Sequence, residues 1–156
     1  MPLQNVYIDT DILMFYHDKK DDKRMAARST VTQVERSLDE NHEIKVKISQ
    51  VVLGELMMHF CNGRCESDEM NKLFKKLNVG HSDMPSASLE ALVCAKEILD
   101  VQRRINPNDA LIVSQVLTDS LATWLLTTDT KLIGNKLIEE KMEALNHRFT
   151  IASSFH

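Results

Sequence analysis

Apolar positions along the chain alternate between short continuous runs and stripes spaced three and four residues apart. Val6-Tyr7-Ile8 is a β-branched and aromatic run of the kind found in strands buried on both faces, and it continues through Asp9-Thr10-Asp11 into Ile12-Leu13 without a Gly or Pro. This predicts one strand over 5–13, followed by a polar connection from Met14 to Lys23. Ala27, Val31, Val34 and Leu38 then mark one face of a helix that ends near Asn41, and Ile44, Val46 and Ile48 alternate with lysines as a half-buried strand. Ser49 caps a helix whose inward stripe reads Leu53, Leu56, Met57 and Phe60, and Asn62-Gly63 ends it. Ser67 opens a helix to about Leu77, with Met70, Leu73, Phe74 and Leu77 inward. Ser86 or Ser88 caps a longer one reaching about Arg104. Asn106-Pro107 starts the next, with Asn at the cap and Pro in the first turn. Leu121 to Leu126 reads as a strand, Thr130 to about Asn146 as a helix interrupted by Gly134, and 149–151 as a last edge strand.

Strands separated by helices predict an α/β domain with a mainly parallel central sheet flanked by helices, in one domain over 1–156. Ligands of such sheets bind beyond the C-terminal strand ends. Asp9, Glu55, Asp109 and Asp129 all fall just after a strand or near the start of a helix.

Composition narrows the setting. The chain is 43% apolar and 27% charged, with four Gly and three Pro, so there is little room for linkers. No apolar run approaches the roughly 20 residues that span a bilayer, and no signal-peptide pattern opens the chain, so a cytoplasmic protein is expected. Three cysteines, an odd number, argue against a disulfide framework. Cys61, Cys65 and nearby His59 lack a fourth ligand and the usual spacing of a zinc site. A net charge of −4 argues against general coating of nucleic acid but leaves room for a local basic rim.

The acids carry the chemistry. A carboxylate at the end of a buried strand costs several kcal/mol unless a cation, a proton or a metal compensates it, and no basic residue lies beside Asp9. Each of the others has an ordinary alternative. Asp11 and Asp129 suit helix capping, Glu55 a helix rim beside Gly54 (a place for close backbone approach), and Asp109 a capping box with Asn106. Taken together, four acids at one sheet edge repel one another without a cation, and hard divalent ions such as Mg²⁺ or Mn²⁺ take carboxylate oxygens.

Val6 to Leu13, Ser49 to Glu55, Asn108-Asp109-Ala110-Leu111-Ile112 and Leu126-Thr127-Thr128-Asp129 resemble, in order and spacing, the four motifs of the PIN-domain nucleases, most closely the VapC-type toxins and their prokaryotic relatives. The resemblance implies a Rossmann-like PIN domain, frequent homodimers, Mg²⁺ or Mn²⁺ as cofactor, and endonucleolytic cleavage of RNA. It implies Asp9, Glu55, Asp109 and Asp129 as the catalytic, metal-binding acids, with Thr127 or Thr128 as supporting hydroxyls. Asp11 stands where the family usually has Asn, which adds charge at or behind the metal. Lys131 stands where many members carry a further acid. The chain is also longer than the toxin group, the extra length falling between Cys61 and Ser88.

The expectation is therefore a metal-dependent ribonuclease, with a small antitoxin-like protein as inhibitor. Lys19, Lys20, Lys23, Arg24, Arg103, Arg104 and Lys131 are the candidates for RNA phosphates. One rival is a PIN-fold module that holds RNA or protein without cutting. Another is an aspartyl-nucleophile phosphatase, although Leu13 occupies the place where those enzymes need Thr or Val. None of the six histidines lies in an acidic motif, so water rather than a 2′-hydroxyl is the expected nucleophile. His59, one turn beyond Glu55, reads as a satisfied surface or core residue.

Overall fold

The architecture follows from one buried strand, β1, and the partners it recruits. A computed structural model describes residues 2–17 and 21–156, with the backbone alone at 21 and 22. Strand β1 (Gln4–Ile8) pairs with β2 (Ile44–Lys47) on one side and β3 (Ala122–Leu126) on the other, and β3 pairs with β4 (Thr150–Ala152). All three pairings are parallel and the order is β2-β1-β3-β4, so every strand delivers its C-terminal end to the same edge. Val6, Ile8, Val46, Leu125 and Leu126 are almost wholly buried, as expected for strands covered on both faces.

Among the described residues seven α-helices flank the sheet: α1 (Thr10–Tyr16), α2 (Asp21–Glu40), α3 (Gln50–Cys61), α4 (Ser67–Lys76), α5 (Leu89–Val101), α6 (Pro107–Thr118) and α7 (Lys136–Ala144). The α2 stripe of Ala27, Val31, Val34 and Leu38 is buried as its spacing predicts. Ser49, Ser88 and Asn106 cap α3, α5 and α6, each accepting a backbone N–H in the first turn. Gly63 ends α3 in the left-handed region, at φ +68°. Among the described residues no helix is long and apolar enough to cross a membrane.

Several boundaries differ from the sequence expectation, each for a local reason. β1 stops at Ile8, because Asp9 turns its carboxylate onto the Thr10 N–H (2.7 Å) and opens α1. Ile12 and Leu13 are therefore buried from a helix, and much of the expected polar connection after Met14 is helical. α5 ends at Val101, three residues before Arg104, with Gln102 as its C-cap. α7 starts only at Lys136, since Gly134 adopts φ +70° and Asn135 caps the helix anew. On α3 the sheet-facing line is Val52 and Leu56. Met57 is 64% exposed, because apolar residues surround most of this helix and periodicity does not select a face. Nothing lies within 4 Å of a Cβ built on Gly54, so no backbone approaches it closely.

The segment between Cys61 and Ser88 has a bracing role. Met70, Leu73 and Leu77 enter the core from α4 and its C-cap. Beyond them, the carbonyls of Asp83 and Pro85 accept the N–H groups of Ile48 and Gln50, and Lys47 pairs with Asp83 at 3.0 Å. These bonds clamp the β2–α3 junction, which aims α3 and with it Glu55.

Candidate active site

The parallel sheet and the helix starts at its edge place five acids around one cavity of about 430 Å³, lined by Asp9, Asp11, Glu55, Asp109 and Asp129 together with Thr10, Met14, Phe15, His59 and Thr128. Asp9 ends β1, Asp11 lies in the first turn of α1, Glu55 on α3, Asp109 in the first turn of α6, and Asp129 follows β3.

Hydroxyls and backbone N–H groups fix the innermost acids. Asp9, only 5% exposed, accepts the Thr127 hydroxyl at 2.8 Å through its second oxygen, while its backbone N–H reaches the Leu126 carbonyl. Thr127 is itself fully buried and its oxygen accepts the Asp129 N–H at 3.1 Å. Asp11 Oδ2 receives both the N–H (2.8 Å) and the hydroxyl (2.5 Å) of Thr128. Asp11 thus ties the α1 start to the β3 end as well as facing the cavity. Glu55 accepts the Thr10 hydroxyl at 2.9 Å. Asp129 accepts the Lys131 N–H at 2.9 Å, and Asp109 closes no capping box with Asn106.

No lysine or arginine side chain forms an ion pair with any of the five among the described residues. The consequence falls on Asp9 and Asp109. Burial, with the neighbouring Asp11 charge, pushes Asp9 up to about 8, against the opposing pull of Thr127 and Thr10. Burial, then the charges of Asp129 and Glu55, push Asp109 up to about 7.

The donor set is oxygen only, carboxylate-rich and partly solvent-facing, which fits a hard divalent ion that keeps several waters. Among the described residues no three of these side chains already stand in ligating positions.

Two features refine the expectation from sequence. His59 lines the cavity and its buried Nδ1 has no hydrogen-bond partner, so it is not a satisfied residue. Its one-turn spacing from Glu55 was the available signal. The expected phosphate-binding cations divide into separate groups. Lys23 sits over the Phe15 ring at 4.7 Å, at the α1 rim of the acid cavity. Arg103, Arg104 and Lys131 gather around a second cavity. Arg24 is half-buried on α2, and Lys19 and Lys20 lie outside the described residues. Cys61, Cys65 and Cys94 are free thiols, only Cys61 being exposed.

No family model matches the sequence, and no curated protein matches it. Among solved structures the chain is similar to VapBC2 from Rickettsia felis bound to a DNA fragment from their promoter, with a TM-score of 0.52 over 98% of this chain and 100% of that one, at 16% identity. At that identity the likeness is one of fold: an α/β, PIN-like architecture built on an all-parallel sheet.

Proposed function

We propose that this chain is a divalent-metal-dependent ribonuclease that hydrolyses internal phosphodiester bonds of RNA, and that it is held in check by a small antitoxin-like protein. The observation that carries the reading is the cavity in which Asp9, Asp11, Glu55, Asp109 and Asp129 meet with no cationic side chain among the described residues paired to any of them. A set of acids held so close to one another is costly to fold and useful chiefly when a cation arrives with the substrate. Glu55, Asp109, Asp129 and Asp9 are the groups that would hold Mg²⁺ or Mn²⁺. When bound, such an ion acidifies water and offsets the phosphate's negative charge.

The chain's own residues prepare that event. Thr127 keeps Asp9 oriented into the cavity, and Thr10 does the same for Glu55. Asp11 locks Thr128, and with it the loop that carries Asp129. Asp109, pushed up to about 7 by burial and the charges of Asp129 and Glu55, loses its proton near neutral pH, where water attack on phosphorus is needed. The toxin–antitoxin role rests on two supports, the four sequence motifs and the fold likeness to VapBC2, itself solved with a DNA fragment from their promoter.

The test is incubation of the purified protein with single-stranded and structured RNA under Mn²⁺, Mg²⁺ or EDTA. Cleavage that needs the metal and leaves 5′-phosphate and 3′-hydroxyl ends is the expected result. Cleavage persisting in EDTA with 2′,3′-cyclic phosphate ends would overturn it.

A further inference from the structure

Beside the acid cavity lies a second one of about 650 Å³, lined by Asp100, Val101, Gln102, Arg103, Arg104, Ile105, Lys131 and Asn135. Its two walls come from the segments that supply two of the acids, Asp109 and Asp129. Arg103 and Arg104 precede α6 and Asp109 by a few residues, and Lys131 follows Asp129 by two, with its N–H on the Asp129 carboxylate.

The cavity is held by polar bonds. The Asn135 side-chain amide donates both to Gln102 Oε1 (2.7 Å) on one wall and to the Lys131 carbonyl (2.9 Å) on the other, while its Oδ1 caps α7. Ile105, 3% exposed, anchors the arginine-bearing loop in the core. Arg103, Arg104 and Lys131 are exposed, and none of them has a carboxylate partner among the described residues. The one acid in the lining, Asp100, is already paired with Lys96 at 2.7 Å. In a chain of net charge −4, three uncommitted cations around one concavity make a local anion site. Its volume falls in the range that accepts a nucleotide-sized group.

We infer that this cavity seats a backbone phosphate of a single-stranded nucleic acid next to the bond presented to the acids. Its placement beside a scissile bond rests on the nuclease reading, but the binding itself does not need catalysis. Arginine suits the task, since its planar fork meets two phosphate oxygens at once. The acids themselves repel the substrate's backbone, so a neighbouring cationic seat supplies the attraction the catalytic cavity lacks.

The experiment measures binding and cleavage separately. A fluorescent 12-nucleotide single-stranded RNA is titrated with wild-type protein in metal-free buffer at several salt concentrations, and the same RNA is cleaved under Mn²⁺. Arg103→Ala/Arg104→Ala and Lys131→Ala are compared with Lys72→Ala, a control on α4 whose partner is Glu69. The double variant is expected to weaken binding about tenfold or more and to flatten the log–log salt dependence by roughly 0.7 for each phosphate it no longer neutralises. It should raise KM while leaving kcat within a few-fold, and the control should match wild type. An unchanged affinity and salt slope in the double variant, or wild-type protein that binds no RNA, would overturn the inference. Weakened binding by the double variant of a protein that never cleaves keeps the phosphate seat and removes the nuclease. Metal-dependent cleavage that the variants leave unaffected does the reverse.

Discussion

Asp9 follows the end of β1 and Asp83, from a short turn over 81–83, packs on the end of neighbouring β2; they are 5% and 9% exposed, and the fold treats them in opposite ways. Asp83 docks on the end of β2, where burial works against its charge but the Gly80 N–H and Lys47 prevail and hold it below the usual carboxylate range. Asp9 follows β1 with two side-chain hydrogen bonds and, among the described residues, no cationic partner; beside Asp11, it is pushed up to about 8. One acid is completed by the chain and the other is left incomplete. That difference separates a carboxylate neutralised at a junction from one without a cationic partner among the described residues.

The sharpest way to break the comparison is through activity. Asp109→Asn or Asp9→Asn is expected to lower kcat by roughly three orders of magnitude, the scale of losing several kcal/mol of electrostatic stabilisation. Asp83→Asn should leave kcat within a few-fold. An equal collapse in the Asp83 variant would dissolve the distinction.

The next largest effect is on stability, and it runs the other way. Lys47→Met leaves Asp83 mostly buried and unpaired, at a cost of about 2–4 kcal/mol in chemical denaturation. Asp9→Asn should stabilise the metal-free protein at pH 8 by about 1–3 kcal/mol, because one uncompensated charge is gone. A destabilised Asp9→Asn protein would argue that Asp9 is structural.

A third contrast is in pH. Asp9 and Asp109 have folded values above their unfolded ones, so the native state binds the extra protons. Their contribution is full below about pH 4 and declines as pH rises through about 7 to 8. Asp83, held low, contributes above about pH 4 and is lost on acidification. Thermal melts between pH 5 and 8 should therefore show Tm falling in metal-free buffer. Mn²⁺ at about 100 times its Kd should offset up to roughly 2.7 kcal/mol of that decline. Identical slopes with and without Mn²⁺ would count against a metal among these acids.

The smallest effect sharpens the picture inside the cavity. Asp11→Asn removes the charge beside Asp9 but keeps a side-chain oxygen for Thr128. It should flatten the pH decline while kcat stays within about threefold, less than about 1 kcal/mol. A loss as large as that of Asp109→Asn would make Asp11 a direct ligand.

How much of this was legible in the sequence depends on whether local chemistry decides the feature. Ser49, Ser88 and Asn106 were readable as caps because capping is settled within four residues. The α2 stripe was readable because only one face is apolar. Asp9 was conspicuous as an acid with no partner nearby. The β1 end was not, since Ile12 and Leu13 bury equally well from a strand or a helix. Met57 was misassigned on a helix apolar around most of its girth. The second cavity was out of reach, because Arg103, Arg104 and Lys131 meet only through the Asn135 bridge between segments about thirty residues apart. His59 sat at a telling spacing, but its unpartnered nitrogen appears only once α3 is packed.

The strand order has a consequence for the timing of the protein's own synthesis. β1 emerges from the ribosome well before β3, one of its two partners, which lies more than a hundred residues later. Loop-closure entropy must be met before that pairing forms, which makes it a late and slow event in folding. Asp9 can meet Asp129 and Thr127 only after it. The acidic centre is thus among the last parts of the molecule to exist. A nascent chain that has reached α6 carries all of these acids but Asp129, and the cavity stays incomplete until β3 has been made and docked; under the proposed function, an inhibitor produced alongside would have that whole interval in which to be ready.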